Sequence, residues 1–150
     1  MKNIIRNKKN ICYFTSSLLN LLKKKAINSK IKRSRILMHV SNKSKVHEMI
    51  IALMKNSYVP PHQHPKHKSE SYFIIQGTMD LNIFNNKGKQ IRKISMGDYK
   101  SKKPFYYRMS QGGHWHMPVA TSKFCIYHET FSGPFEKKYD VKFPKWEKPR

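Results

Sequence analysis

Three histidines and one glutamate in this chain have the residue types and the spacing of a metal site. His62 and His64 are separated by one residue, and Glu70 follows in the same stretch, PPHQHPKHKSE. On a strand, alternate residues face the same side about 6.5–7 Å apart, so both imidazoles could reach one ion. His116 lies further along the chain, on what would be a separate strand. Three neutral imidazoles and a carboxylate leave open positions on a six-coordinate metal, which can then hold a substrate or activate water or oxygen.

The predicted cofactor is therefore one divalent transition metal, with Fe, Mn, Zn and Ni all compatible with this donor set. The spacing alone leaves a second interpretation open, because histidine pairs in a proline-rich loop are often surface residues. His67, between two lysines, is predicted to be exposed and outside the site. His114 precedes His116 by two residues and is either a fifth ligand or a residue of the pocket. Tyr72 is predicted to lie in the core, near the pocket.

The net charge of +23 suggests a nucleic-acid partner, but the kind of basic residue argues against a specific one. Among the 31 basic residues only six are arginine, although arginine's bidentate fork is favoured for reading bases and phosphates. The lysines are spread over the whole chain. We therefore expect a solvated basic surface, no specific nucleic acid, and a small-molecule partner.

Length and composition indicate one soluble domain. A chain of 150 residues with 38% hydrophobic content is long and apolar enough for one core. It contains no run of about 18 apolar residues, so no membrane span is predicted. Cys12 and Cys125 have neither zinc-site nor CxxC spacing. A reducing compartment, the cytoplasm, is the expected location.

The first third of the chain is predicted to be a lead-in to the main domain. Residues 1–10 are expected to be a basic N-terminal tail, and residues 11–55 a helical and strand lead-in. The stretch ICYFTSSLLNLL is compatible with the apolar part of a signal peptide, but its polar interruptions and helical leucine spacing favour an amphipathic helix capped by Thr15 or Ser16. A second helix is predicted over KVHEMIIALMKN, where the apolar residues fall at helical spacing: Val46, Met49, Ile50 and Leu53.

Beyond Tyr58 the pattern changes to short strands and turns. Runs such as SYFIIQG and TMDLNIF are separated by turn residues every eight to twelve positions, among them the predicted hairpin turn NNKG at 85–88. This pattern is typical of an antiparallel sandwich or barrel. The fold class is therefore predicted as mainly β, a small antiparallel β-barrel or jelly roll over residues 56–136, preceded by a short N-terminal helical segment. Residues 137–150 are expected to be a C-terminal tail packed on the barrel.

The two histidine-containing stretches resemble the two motifs of the cupin superfamily. NSYVPPHQHPKHKSESYFIIQG is similar to the first motif, and GDYKSKKPFYYRMSQGGHWH to the second, with a longer insert. Within that superfamily the match resembles the WbuC-type cupin metalloproteins, since SYVPPHQHPKHKSES, GGHWH, HETFSGPF and DVKFPKWEK are similar to elements of that group. The resemblance covers roughly residues 13–147.

The resemblance implies a metal held by His62, His64, Glu70 and His116. It also places Glu129 beside the Gly-Pro of its motif, where it would line the cavity or make a structural pair. Three positions depart from the motifs: Asn56 replaces the first glycine, Gln111 replaces a proline, and Ala120 stands near the place of an asparagine. None of these departures removes a ligand.

The function implied by the resemblance is that of a metal-binding cupin acting on, or binding, a sugar or nucleotide-sugar in bacterial surface polysaccharide biosynthesis. The homodimer that cupins commonly form is also implied. Three classes stay open: a metal enzyme on sugars, an Fe(II)-dependent dioxygenase-type cupin, and a non-enzymatic metal- or sugar-binding module. The sequence shows no histidine–tyrosine acid–base pair by motif, so catalytic residues are not assigned.

Overall fold

Two β-sheets packed face to face form most of the protein, seen here in a computed structural model that describes residues 3–147. The described part of the chain has nine strands and two α-helices. In chain order they are β1 Ile4–Arg6, α1 Ser16–Asn28, β2 Arg33–Leu37, β3 Val46–Met54, β4 Glu70–Gln76, β5 Thr78–Phe84, β6 Gln90–Gly97, β7 Tyr106–Met109, β8 Trp115–Ala120, β9 Phe124–Ser132 and α2 Lys137–Asp140.

The larger sheet has the strand order β1-β2-β3-β9-β4-β7 and the smaller sheet the order β6-β5-β8. All neighbouring strands are antiparallel except β1 and β2, which are parallel. The predicted mainly β class with a short N-terminal helix is confirmed. Among residues 3–147, strand pairing does not close the two sheets into one barrel, so the architecture is that of an open jelly roll.

The predicted N-terminal helix is present as α1 and covers the outer face of the larger sheet. Thr15 caps it, since its hydroxyl accepts a hydrogen bond from the backbone N–H of Leu18 at 3.3 Å. Leu22 and Ala26 are fully buried on its inner stripe. They pack against outward-facing residues of three strands: Ile36, Ile50, Ala52 and Ile126.

The second predicted helix is wrong, because residues 46–54 form strand β3 in the middle of the larger sheet. This strand is covered on both faces. Ile50 and Ala52 pack under α1, whereas Ile51 and Leu53 face the smaller sheet. A strand buried on both sides has apolar residues at nearly every position, and such a run also contains the helical spacing. The periodicity was therefore ambiguous, and tertiary packing determines the structure.

The core lies between the two sheets. It includes Leu53, Tyr72 and Tyr127 from the larger sheet and Met79 and Leu81 from the smaller sheet. The two sheets are joined at one end by the turn at Gly77, which has a positive φ of 84° and leaves no space for a Cβ beside the carbonyl oxygen of Phe124.

The hairpin predicted at 85–88 connects β5 and β6. Trp146, from the C-terminal segment, lies beside this hairpin, with ring centroids 5.5 Å from Phe84 and 6.3 Å from Trp115. Neither described helix has both the length and the apolar character needed to cross a membrane.

Candidate metal centre

Four side chains from three parts of the chain meet at one end of the space between the sheets. His62, His64, Glu70 and His116 each offer one ligand atom, and these atoms all lie within 4.8 Å of one another. Three of the four residues are buried, and His62 is partly buried. The sequence interpretation named these four residues, and the structure brings them together.

Both sheets contribute to the cluster. Glu70 is the first residue of β4 in the larger sheet, and His116 is the second residue of β8 in the smaller one. His62 pairs with His116 through two backbone hydrogen bonds of 3.0 and 2.9 Å, which place the two rings 4.2 Å apart. Gly112 packs so closely on this loop that a Cβ there would collide with the carbonyl oxygens of Pro65 and His64. The glycine therefore allows the turn before β8 to lie against the histidine loop.

Each of the three imidazoles is oriented by a backbone carbonyl. Nδ1 of His62 lies 3.0 Å from the carbonyl oxygen of Pro60, Nδ1 of His64 lies 2.6 Å from that of Asp140, and Nδ1 of His116 lies 3.0 Å from that of His114. A carbonyl can only accept, so Nδ1 carries the proton in each ring. In a neutral ring the lone pair is then on Nε2, the tautomer that metal-ligating histidines use.

Three of the atoms that face one another across the cluster have no hydrogen-bond partner. Nε2 of His64 lies 3.4 Å from Oε1 of Glu70, and Nε2 of His116 lies 3.2 Å from Oε2. Among the residues described, those two nitrogens and Oε2 of Glu70 are buried without a hydrogen bond. Each buried polar atom left in this way costs about 1–3 kcal/mol. A cation at the centre would satisfy all three atoms at once, so the donor set fits a metal.

The electrostatics of the cluster favour neutral imidazole at one ligand and a charged carboxylate at another. Burial lowers the pKa of His62 to about 3, so its ring is neutral at physiological pH. Burial raises the pKa of Glu70, but the His116 and His64 rings beside it outweigh that effect and hold the pKa well below its usual range. Burial lowers the pKa of His64, yet the adjacent Glu70 carboxylate outweighs it and the pKa is raised. Because its pKa is raised, His64 is a ring at which a proton competes with a metal.

A cavity of about 420 Å³ opens from the cluster along the inner face of the larger sheet. Tyr72 and Glu129, both named from the sequence, line it. Burial, and then the charge of Glu70, raise the pKa of Glu129 to about 8, so this carboxyl keeps its proton at neutral pH. Burial raises the pKa of Tyr72 well above its ordinary value. Both groups therefore offer a proton to a molecule in the cavity.

The other histidines lie outside the four-residue cluster. His67 is exposed, as predicted. His114 is also exposed and does not line the cavity; its carbonyl oxygen orients His116 instead of its ring serving as a fifth ligand. His39 and His47 are buried at the cavity wall, and their rings are tilted by 34° with centroids 4.0 Å apart.

Two residues that support the cluster were not found from the sequence. Lys68 is only 6% exposed, although it lies in a lysine-rich loop. Its Nζ donates to the carbonyl oxygens of Ser132 and Pro134 and lies 3.6 Å from Oδ1 of Asp140. The backbone carbonyl of Asp140 is the acceptor that orients His64. The partner of Lys68 is 72 residues away (140 − 68), and only the fold reveals the pair.

The comparisons with known proteins agree with this fold. The family described as "Domain of unknown function (DUF6016)" matches residues 14–96, which is more than half of the chain. No curated protein matches the chain in sequence.

Several solved structures share the fold. Protein SO0799 from Shewanella oneidensis has a TM-score of 0.55 at 10% identity, over 67% of this chain and 63% of that one. The cupin domain of Cnp3 from Schizosaccharomyces pombe has a TM-score of 0.51 at 13% identity, over 71% and 69%. Oxalate decarboxylase from Bacillus subtilis has a TM-score of 0.54 at 14% identity, over 74% of this chain but 27% of its own. The chain thus spans less than two thirds of SO0799 and about a quarter of the decarboxylase. At these identities the likeness shows a cupin fold and nothing about activity.

Proposed function

The chain belongs to the family described as a domain of unknown function (DUF6016), and for this member, which has the cupin fold, we propose a metal-dependent function. In this proposal His62, His64, Glu70 and His116 hold one divalent transition metal. A small molecule that enters the adjoining cavity of about 420 Å³, a volume within the usual range for ligand pockets, would meet a metal held by these residues.

One observation supports the proposal above all others: the donor atoms of the four residues all lie within 4.8 Å of one another, as they would around a cation. The three rings each point Nδ1 at a backbone carbonyl, and Nε2 of His64 and of His116 faces the Glu70 carboxylate at 3.4 and 3.2 Å. Among residues 3–147, those two nitrogens and Oε2 of Glu70 are buried without a hydrogen bond. A cation between them would bind all three atoms, whereas buried polar groups without a partner destabilise the folded state.

When bound, the metal would act as a Lewis acid with open positions for an oxygen donor of the substrate. The residues of the chain then orient the substrate and manage protons. In the metal-free protein Glu129 holds a proton on its carboxyl at neutral pH, and it lines the same cavity, so it is our candidate general acid. Tyr72 lies opposite Glu129 in the strand register and supplies a second neutral hydroxyl.

For the substrate we propose a sugar or nucleotide-sugar of bacterial surface polysaccharide biosynthesis. The support is the resemblance of the metal loop, the GGHWH turn and the HETFSGPF strand to the WbuC-type cupins. A second candidate is an Fe(II)-dependent dioxygenase-type reaction, favoured by the three-histidine, one-carboxylate donor set with its open positions. A binding module without turnover is the third.

Metal analysis of purified variants tests the proposal. We expect about one equivalent of a transition metal in the wild-type protein and its loss in His64→Ala and Glu70→Ala. The control is His67→Ala, which removes an exposed histidine three residues from His64 and should leave the metal content unchanged. Full occupancy in Glu70→Ala, or loss in His67→Ala, would show that the ligands are assigned wrongly. Oxygen uptake by the Fe(II)-loaded protein distinguishes the dioxygenase from the sugar enzyme, and tight binding without turnover identifies the binding module.

A further inference from the structure

The cavity has a second charged group of residues, distant from the metal ligands. Arg33 and Arg35, on β2, line its far wall, and Arg6, on β1, lies beside them. The carboxylates that line the cavity are Glu70, which faces the proposed metal, and Glu129. The wall formed by β1 and β2 is therefore cationic.

The identity of these cations is unusual for this chain. Lysine outnumbers arginine by 25 to 6 in the whole sequence, yet among the residues that line the cavity there are three arginines and one lysine, Lys137. A general basic bias would place lysine there. Arginine differs from lysine in its planar fork, which binds a carboxylate or a phosphate through two parallel hydrogen bonds. The choice of residue indicates recognition of an anion.

At least one of these forks is available to a ligand. The guanidinium of Arg35 makes no hydrogen bond, and no ion pair within 4.0 Å, with the residues described, although its charge is close enough to Glu129 to act against the rise in the pKa of that carboxyl. Arg33 donates from Nη1 to the carbonyl oxygen of Tyr58 at 2.8 Å, which fixes its side chain and leaves its remaining N–H groups. Burial lowers the pKa of Arg33, because a charged guanidinium loses hydration when it is buried. An anion bound beside it would offset this loss of hydration free energy.

The strand register gives the distance between the two ends of the cavity. Arg35 pairs with Ile51, Ile51 with Tyr127, and Tyr127 with Ile74, which is four residues from Glu70 on β4. All of them face the same side of the sheet. The backbones of Arg35 and Glu70 are thus separated by three strand spacings, roughly 14 Å, and by roughly 13 Å along the strands. A single ion cannot contact both ends, whereas an extended organic molecule can.

We propose that the ligand of this cavity is a small organic anion, a carboxylate or a phosphate monoester, whose charged group binds to Arg35 and Arg33 while its other end reaches the metal. This inference rests on the proposed function, because it names the substrate class of the same site. It assigns to the two arginines a role in specificity: they select a charged molecule over its neutral analogue.

Binding measurements with three hexoses that share one scaffold test the proposal. Glucose is neutral, glucuronate carries a carboxylate, and glucose 6-phosphate carries a phosphate. Titration calorimetry is carried out on the metal-loaded protein at physiological ionic strength. We expect at least one anion to bind about tenfold to a hundredfold more tightly than glucose, the amount that a charge-assisted pair supplies. The stronger of the two anions identifies the chemical source of the charge.

Two arginine variants separate recognition from general attraction by the basic surface. Arg35→Met should abolish the preference for the anion, and Arg35→Lys should retain only part of it, because the fork is lost but the charge remains. Arg92→Met is the matched control, since Arg92 is exposed on β6 and does not line the cavity. It should leave the preference unchanged.

The outcomes distinguish this inference from the proposed function. Equal affinity for the three hexoses, no binding of either anion, or equal losses in Arg35→Met and Arg92→Met would each overturn the anion site. If the metal content is normal in those preparations, the metal-dependent function survives such a result. Conversely, anion binding through Arg35 in a protein that never retains metal would leave the anion site standing and overturn the metal-dependent function.

Discussion

His64 donates a hydrogen bond from Nδ1 to the backbone carbonyl of Asp140 at 2.6 Å, so a proposed metal ligand is oriented by a residue 76 positions along the chain. Asp140 is itself fixed from two sides. Its Oδ2 accepts from the backbone N–H of Glu136 at 2.7 Å, and its Oδ1 lies 3.6 Å from Nζ of the buried Lys68. The helical turn α2 therefore joins the C-terminal segment to the loop that carries His62 and His64.

This coupling predicts a metal phenotype for a residue that contacts no metal. Asp140→Asn keeps the acceptor for Glu136 but leaves the Lys68 ammonium buried without a counter-charge. We expect metal affinity to fall by 10- to 100-fold, as for other groups that orient ligands, and the protein to lose about 3–5 kcal/mol of stability. Competition with a chromophoric chelator measures the affinity, and chemical denaturation measures the stability.

Asp80→Asn is the matched control for that experiment. It removes the carboxylate of a partly exposed pair, in which Lys93 Nζ lies 3.6 Å from Asp80 Oδ2; the side chain of Lys93 is 52% exposed and that of Asp80 23%. Such pairs contribute about 0–1 kcal/mol. Metal affinity should not change. If Asp140→Asn weakened metal binding no more than Asp80→Asn, the pair between Lys68 and the Asp140 side chain would not be needed to hold the Asp140 carbonyl against His64.

A second prediction concerns the pH dependence of metal binding. Burial lowers the pKa of His64, but the adjacent Glu70 carboxylate outweighs it and raises the pKa in the metal-free protein, so a proton on Nε2 competes with the metal up to a higher pH than on an ordinary imidazole. As pH falls through this raised pKa the protonated fraction grows, and affinity should fall by up to tenfold per pH unit for each proton displaced. His62, whose pKa is about 3, adds no competition above pH 5.

Affinity measured between pH 5 and 8 checks this expectation, and proton release on metal addition can be followed with a pH indicator. His67→Ala should give the same curve as the wild-type protein, since His67 is exposed and outside the cluster. A pH-independent affinity, or a curve displaced by the loss of His67, would contradict the ligand assignment.

A third prediction follows from the protonated carboxyl of Glu129. Its folded-state pKa of about 8 lies above its ordinary value of 4.5, so the folded metal-free protein binds a proton that the unfolded chain releases. The resulting stabilisation is fully present below about pH 4.5 and is lost as pH rises through about 8. Because Glu129 is partly exposed to the cavity, we expect the loss to be on the order of 1–3 kcal/mol.

Glu129→Gln should remove that dependence, because the amide resembles the neutral carboxyl and does not ionise. The difference in unfolding free energy between the variant and the wild type, measured at pH 5 and pH 8 on metal-free protein, isolates this residue from the histidines. The variant should gain relative stability at pH 8. An unchanged difference at the two pH values would mean that Glu129 ionises normally.

A fourth prediction concerns the net charge of +23. Binding to DNA should be weak, independent of sequence, and absent at moderate salt, because it would arise from a dispersed lysine surface alone. Fluorescence anisotropy with two unrelated duplexes at 50 and 200 mM salt measures this. A complex that prefers one duplex and persists at 200 mM would contradict it.

Three of the four proposed metal ligands could be named from the sequence because they lie in one short stretch, whereas His116 was added by the resemblance to the second motif. His62, His64 and Glu70 lie within nine residues, and the alternating histidines already suggest convergence. Helix α1 could also be predicted, because Thr15 is a suitable N-cap residue and the leucines after it recur at helical spacing. Strand β3 was not, since burial on both faces removed the alternation that would have identified it.

The remaining features of the site depend on pairings across long stretches of chain. Lys68 looked like one lysine among many, and only its buried contact with Asp140 gives it a structural role. Arg33 and Arg35 did leave a trace in the sequence: two of six arginines at alternating positions of one strand. This spacing predicts that the two arginines lie on the same face of a strand. The cavity that this face lines forms only when the two sheets pack together, so the sequence does not show it.

The contact between His64 and Asp140 also sets an order of events during synthesis. A ribosome delivers residues 62–116, with every proposed ligand, well before it delivers the helical turn at 137–140. At 5–20 residues per second, roughly one to a few seconds separate the emergence of His116 from that of Asp140. Until then the His64 ring lacks its acceptor. The nascent chain thus carries all four proposed donors before the acceptor that orients His64 has been made.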